Sequence, residues 1–204
     1  QVITDPHVRS EYLLHAHLPT MFFCVFDEKT KMDALEQATI AQIDLDPDRV
    51  IVTGPPIDHR IVRARRGKKP PHLRPTRILI TTGGLGTNKD EIRTLLEQLL
   101  PSLKRKNAPY QLMVYCGTQE DIYDMTLSVA KAHRIKAQVV SNTSQISGID
   151  SRFSVIYHPQ IFDANEALIQ YGFPWADLCI TKPSGDMTYD AVAVSVKCHS
   201  CEIK

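Results

Sequence analysis

The chain has 204 residues, 43% of them apolar, and sets 24 Lys and Arg against 23 Asp and Glu for a formal charge of +1. That balance implies no strongly basic surface and argues against a nucleic-acid binder, while the length suits one large domain or one and a half small ones. No apolar run approaches the roughly 18 residues of a membrane-spanning helix, and no signal peptide precedes the first strand.

Val2-Ile3-Thr4 reads as the end of a strand already under way behind Gln1, which is not an initiating Met, so the sequence is expected to start after its true N-terminus. Asp5 and His7 close that strand, and they are the candidates for a general base in this half of the chain. Further strands are expected at 21–26 and 50–53, with a helix near 31–43, an alternation that favours a parallel α/β layer. Asp44-Leu45-Asp46-Pro47-Asp48 holds overlapping Asp-x-Asp triplets, a pattern found in metal-dependent sugar transferases. Asp beside Pro also commonly caps a turn, and no metal is expected here.

Gly54-Pro55-Pro56 makes a rigid exit from this region. Arg60, Arg63, Arg65, Arg66, Lys68 and Lys69 then cluster beside prolines, which reads as a solvated linker, with contact to anionic lipid as the alternative. The expected division is a first domain at 1–62, a linker at 63–76 and a second domain at 77–204. Cys24, Cys116 and Cys179 lie in apolar strand-like runs and read as buried, reduced thiols of a cytoplasmic protein. Cys198 and Cys201 form a lone pair, weak as a zinc signal without a second half-site.

Beyond the linker the pattern sharpens, with strands expected at 78–82, 111–116, 138–141, 154–157 and 178–181. Ile92, Leu95, Leu96, Leu99, Leu100 and Leu103 recur at steps of three and four, one apolar stripe of a helix that Thr87 or Asn88 can cap. Between the first of these strands and that helix stands Thr81-Thr82-Gly83-Gly84-Leu85-Gly86-Thr87-Asn88. Glycine admits positive φ and lets backbone N–H groups approach an anion, and the following helix adds the positive end of its dipole. The spacing is not that of the dinucleotide fingerprint, whose sixth position is here Asn88, nor that of a Walker loop. A tight turn without ligand is the alternative. Thr181-Lys182-Pro183-Ser184-Gly185-Asp186-Met187-Thr188-Tyr189-Asp190 leaves a second strand in the same manner. Lys182 can neutralise a phosphate there and Asp190 can accept from a ribose diol, whereas the alternative is a surface loop with an ion pair.

Taken in order, these pieces resemble the glycosyltransferases of the two-domain GT-B fold. The family in question contains the bacterial enzyme that adds N-acetylglucosamine to the lipid-linked peptidoglycan precursor, and the diacylglycerol galactosyl and glucosyl transferases of plants and bacteria. The matching runs are Val2-Ile3-Thr4-Asp5-Pro6, Val52-Thr53-Gly54-Pro55-Pro56-Ile57, Ile80-Thr81-Thr82-Gly83-Gly84-Leu85-Gly86, Val114-Tyr115-Cys116-Gly117 and Ala176 to Gly185. The resemblance implies an α/β chain of two Rossmann-like domains, the first incomplete and the second truncated where the sequence diverges after Ala193. It implies a hexosyl transfer from a uridine diphosphate sugar to a sugar- or lipid-linked acceptor, inverting, without metal or further cofactor, in the cytoplasm and with weak contact to a membrane surface. Gly83, Gly84, Gly86 and Thr87 then face the donor diphosphate, Gly117 turns after the next strand, and Lys182, Ser184, Gly185 and Asp186 line the donor site. Asp190 stands where relatives carry a longer Glu for the ribose, and 158–162 falls where the base is faced. The family's N-terminal glycine loop is absent, which leaves Asp5 and His7 as the only nearby bases. A non-catalytic nucleotide-sugar-binding subunit and a UDP-sugar epimerase of the same fold are the alternatives.

Overall fold

A computed structural model describes residues 2–3, 7–66, 75–82, 86–140, 151–182, 185–194 and 197–198. The chain forms an α/β structure that divides into two compact units, Gln1–Pro56 and Ile57–Lys204.

In the first unit three short parallel strands, β1 (Val2–Ile3), β2 (Phe23–Val25) and β3 (Val50–Val52), lie in the order β1-β2-β3. Helix α1 (Glu28–Ile40) begins at Asp27, whose carboxylate accepts from the Thr30 N–H and hydroxyl, both at 2.7 Å. This cap satisfies a donor that the first helical turn leaves open. Ala34 and Ala38 are the helix's buried small residues, so its backbone can approach the Phe23 and Val25 side of the sheet. Arg49 Nη1 and Nη2 donate to Leu18 O and Ala16 O, each at 2.7 Å, fastening the segment before β2 beside β3.

The second unit opens with α2 (His59–Arg66) and builds a six-stranded sheet in which every neighbouring pair is parallel. Its strands are β4 (Thr76–Thr81), β5 (Tyr110–Gly117), β6 (Gln138–Val140), β7 (Phe153–Tyr157), β8 (Leu178–Thr181) and β9 (Lys197–Cys198), in the order β6-β7-β5-β4-β8-β9. The helices are α3 (Lys89–Leu99), α4 (Glu120–Ala132), α5 (Ile161–Ala167), α6 (Phe173–Trp175) and α7 (Gly185–Val194), with a π turn, Leu168–Gly172, joining α5 to α6. The central strands are near-continuous apolar runs because both faces are covered. Ile78 and Ile80 belong to one core with Ile92 and Leu96 of α3 and Ile122 of α4. Leu79 belongs to the other, with Ile61 of α2, Phe173 of α6 and Ala191 of α7. The chain winds from β4 to β5 on one side and later reaches β8 on the other, so the order reverses between β4 and β8. In open α/β sheets such a reversal leaves a crevice at the carboxyl ends of the two strands.

Two features depart from the sequence expectations. Residues 59–66 form a helix whose Ile61 is 1% exposed in the second unit's core, so the unit boundary falls after Pro56 and not at 62. One buried Ile among four Arg gives almost no helical stripe to read. Past Ala193, α7 runs on to Val194 and β9 adds a parallel strand beside β8, where the sequence suggests only divergence. The heart of the expected linker, 67–74, lies outside the described residues.

Candidate functional site at the carboxyl edge of the second sheet

Strand β4 ends in two buried hydroxyl residues, Thr81 at 1% and Thr82 at 3% exposure. Thr82 N–H donates to Tyr115 O at 3.1 Å, which keeps β4 and β5 paired to the edge. Thr81 Oγ1 is buried with no hydrogen-bond partner among the described residues. Gly86 stands at φ +64, in the left-handed region, and leads through Thr87 into Asn88 at the N-cap of α3. Asn88 places no side-chain bond on its own helix; its Nδ2 donates back to Thr81 O at 3.3 Å. Asn88 thus ties the start of α3 to the end of β4.

Lys182, the residue after β8, crosses to this turn: its Nζ donates to Thr87 Oγ1 at 2.7 Å. Among the described residues no carboxylate pairs with this ammonium. Next to it, Lys89 Nζ pairs with Asp121 Oδ2 at 2.8 Å, and that hydrogen bond lowers the Asp121 carboxyl. At the end of β5 the ladder shifts register between Tyr115 and Gly117, and Gly117 takes φ +59. Beneath this edge Tyr115 Oη donates to Asn165 Oδ1 at 2.7 Å, and burial pushes the phenol up to about 12. Burial likewise pushes the Cys116 thiol up to about 12, which leaves it an inert core group.

Of the residues named from sequence, Gly86, Thr87, Gly117 and Lys182 come together along the carboxyl edge. Gly185 and Asp186 lie in the first turn of α7, and half-buried Asp190 lies on the same helix. Gly83, Gly84, Ser184 and Asp5 lie outside the described residues, as does Cys201. His7 is exposed in the first unit. His158 follows β7, and in the next helix Phe162 is 85% exposed. Gln119 was not singled out from sequence, although it lies against Gly86: a Cβ built on that glycine would stand 3.0 Å from its Cγ, Cδ and Oε1. A glutamine carries no motif, and its only signal is its place two residues after a strand-ending Gly.

The Asp-x-Asp segment serves a turn, since Asp46 Oδ1 accepts from Asp48 N–H at 2.9 Å and heads a short 3-10 helix, Pro47–Arg49. Among the described residues no three His, Cys, Asp or Glu side chains gather as a metal site, and no helix is long and apolar enough to cross a membrane. A cavity of about 660 Å³ in the first unit, lined by Asp44, Asp46 and Arg49, opens at the amino end of β3, where Arg49 is already used to hold the chain.

A search of curated proteins and one of solved structures returned no match to this chain. A family profile described as a domain of unknown function, DUF6938, matches residues 46–192. That span starts just before β3, runs to α7, and includes Gly86, Thr87, Gly117, Gln119 and Lys182. With well over half of its length matched, the chain belongs to the DUF6938 family.

Proposed function

We propose that the second unit binds the diphosphate of a nucleotide sugar, with uridine diphosphate as its nucleotide part, and that the chain is a metal-independent hexosyltransferase. On this reading the two units are the two halves of a GT-B enzyme that works in the cytoplasm, close to the membrane that carries a lipid-linked acceptor. The observation that supports it is the Lys182 ammonium bonded to Thr87 at the entry of α3, without a carboxylate partner among the described residues. At this exposed position the helix end disfavours the cation only mildly, by about 0.3–1 kcal/mol, and a bound anion would bridge the two. Asp90 and Glu91 in the first turn of α3 offset the helix end in part, but neither pairs with Lys182.

The chemistry follows from that charge. An acceptor hydroxyl attacks the anomeric carbon in line with the departing diphosphate, a new C–O bond forms, and the bonding pair of the old one goes to the diphosphate. Lys182, the N–H groups of the turn around Gly86 and the end of α3 stabilise the developing charge. Preorganised donors of this kind contribute on the order of 3 kcal/mol each. The hydroxyl proton passes to a base, for which the sequence offers Asp5 and His7 as candidates.

Calorimetric titration with UDP, with and without magnesium and against adenine dinucleotides, tests the reading. The expected result is UDP binding that needs no magnesium, weakened about tenfold or more by Lys182→Ala. Equal affinity in the variant, or preference for a dinucleotide, rejects it.

A further inference from the structure

We propose that helix α2 and the head of α5 form a docking surface for an anionic lipid membrane, with arginines for the headgroup phosphates and Phe162 for the acyl boundary. The inference goes beyond the donor reading, because it needs no nucleotide, and it names the face with which the chain meets the membrane invoked there.

Four of the eight residues of α2 are Arg, and the sequence has no Asp or Glu between Asp58 and Asp90. Arg60 serves the fold, bonded to Asp58 at 2.8 Å and to Glu166 at 2.7 Å. Arg63 and Arg65 are exposed, and among the described residues neither has a carboxylate partner. Ile61 anchors the helix in the core. At about 3.6 residues per turn, exposed Val62 then falls between Arg65 and Arg63 on the outward side of the helix.

The apolar part of the surface continues on α5. Glu166, which accepts from Arg60, lies one turn after Phe162 on the same face of that helix, about 6 Å along its axis. Ile161 is exposed and Phe162 almost completely so. Asp163 beside them stands 3.5 Å from His158 Nδ1. The surface thus runs from Arg65 through Val62, Arg63 and the Arg60–Glu166 pair to Phe162.

The occupant follows from that mixture. Guanidinium groups without carboxylates attract a surface of negative charge, and each Lys or Arg held near an anionic leaflet strengthens attachment about fivefold. A nucleic acid or an acidic polypeptide supplies the charge but gives Ile161 and Val62 no apolar phase. A bilayer takes both, an Arg head at its phosphates and an aromatic ring below them, with the Arg stem lying along apolar surface.

Flotation of the whole chain tests this without nucleotide, on vesicles of phosphatidylcholine alone and of phosphatidylcholine mixed two to one with phosphatidylserine. The expected result is attachment to the mixed vesicles only, weakening as salt is raised. Arg63→Gln together with Arg65→Gln is expected to weaken it about tenfold or more, and Arg63→Lys with Arg65→Lys to retain it, since a leaflet reads charge and not guanidinium geometry. Phe162→Ser is expected to weaken it several-fold, and each variant to melt as the unaltered protein does. Equal attachment to phosphatidylcholine alone, a lysine pair as weak as the glutamine pair, or full attachment by Phe162→Ser overturns the proposal. Binding to a DNA duplex or to polyglutamate in place of the vesicles does so as well. A chain that binds UDP but neither vesicle rejects this surface and leaves the donor reading, whereas one that binds the mixed vesicles but not UDP does the reverse.

Discussion

Gly86 and Gly117 both hold the left-handed backbone that a side chain resists, but they differ in what surrounds them. At Gly117 a Cβ would meet the Tyr115 ring at 3.6 Å, an ordinary contact, so an Ala there bears mainly backbone strain. At Gly86 the strain is joined by a 3.0 Å approach to Gln119, which must shift. Ala at a position of positive φ costs about 1 kcal/mol. Gly86→Ala is therefore expected to lower the stability of the second unit by about 1–2 kcal/mol, and Gly117→Ala by about 1 kcal/mol. Urea unfolding followed through Trp175 measures both; a Gly86→Ala variant as stable as the unaltered protein would mean that the Gln119 contact is not held in solution. The candidate site was legible in sequence only where a strand end or a helix start leaves a mark. Lys182 and the glycines stand at the ends of apolar runs, where a strand, a turn and a helix start can be read from neighbours. The packing of Gln119 against Gly86 could not be read, because it comes from Gly117 turning the backbone and not from any pattern around residue 119.

Among the elements, the strands of the second sheet were the most legible, because a strand covered on both faces must be apolar along its length, as Ile78-Leu79-Ile80 and Leu112 to Cys116 are. The helical stripe from Ile92 to Leu103 was legible too, though it ends as α helix at Leu99 and continues as a 3-10 turn, Leu100–Lys104, since Pro101 lacks the N–H to continue. The π turn was not, because its five-residue step has no sequence period. Its closing Gly172 has a packing cause: a Cβ would stand 2.7 Å from Leu168 Cδ1 and 3.3 Å from Ile156 Cδ1. Least legible was α2, whose anchorage is ionic as well as apolar. Arg60 bonds Asp58 through Nε and Nη2 and reaches Glu166 Oε1 with Nη1 at 2.7 Å, tying α2 to α5. The Arg60 guanidinium, with its N–H, holds the Asp58 carboxyl down to about 2 and also lowers Glu166. Both folded-state values are depressed, so this stabilisation is complete above the ordinary carboxylate range and is lost as pH falls from about 4 through about 2. The groups are partly exposed and the effect is screened by solvent. Arg60→Gln is expected to flatten the loss of urea stability across that window while changing its slope little above pH 5. An unchanged acid profile would show that the three charges contribute nothing as a unit.

The division of the chain into two units gives a test of where the ligand acts. The sequence has one Trp, and Trp175 is 7% exposed in the core that packs Leu79 and Ile61, so its fluorescence reports on the second unit. The buried thiols extend this: Cys24 lies in β2 of the first unit, whereas Cys116 and Cys179 lie in β5 and β8 of the second. With the Cys116 thiol pushed up to about 12 and buried, it reacts with an alkylating agent only when its unit opens. A ligand that binds only the folded form adds RT ln(1 + [L]/Kd), about 2.7 kcal/mol at a hundredfold excess over Kd. For a domain near 150 residues each kcal/mol raises the melting temperature by about 2–4 °C. Saturating UDP is thus expected to raise the Trp175 transition by about 5–10 °C and to slow the alkylation of Cys116 and Cys179. If the anion is held by Gly86, Thr87 and Lys182, all of the second unit, Cys24 reacts at the same rate with and without UDP. Equal protection of Cys24 would place part of the binding energy in the first unit, and a Trp175 transition that does not move would leave the carboxyl edge without a nucleotide.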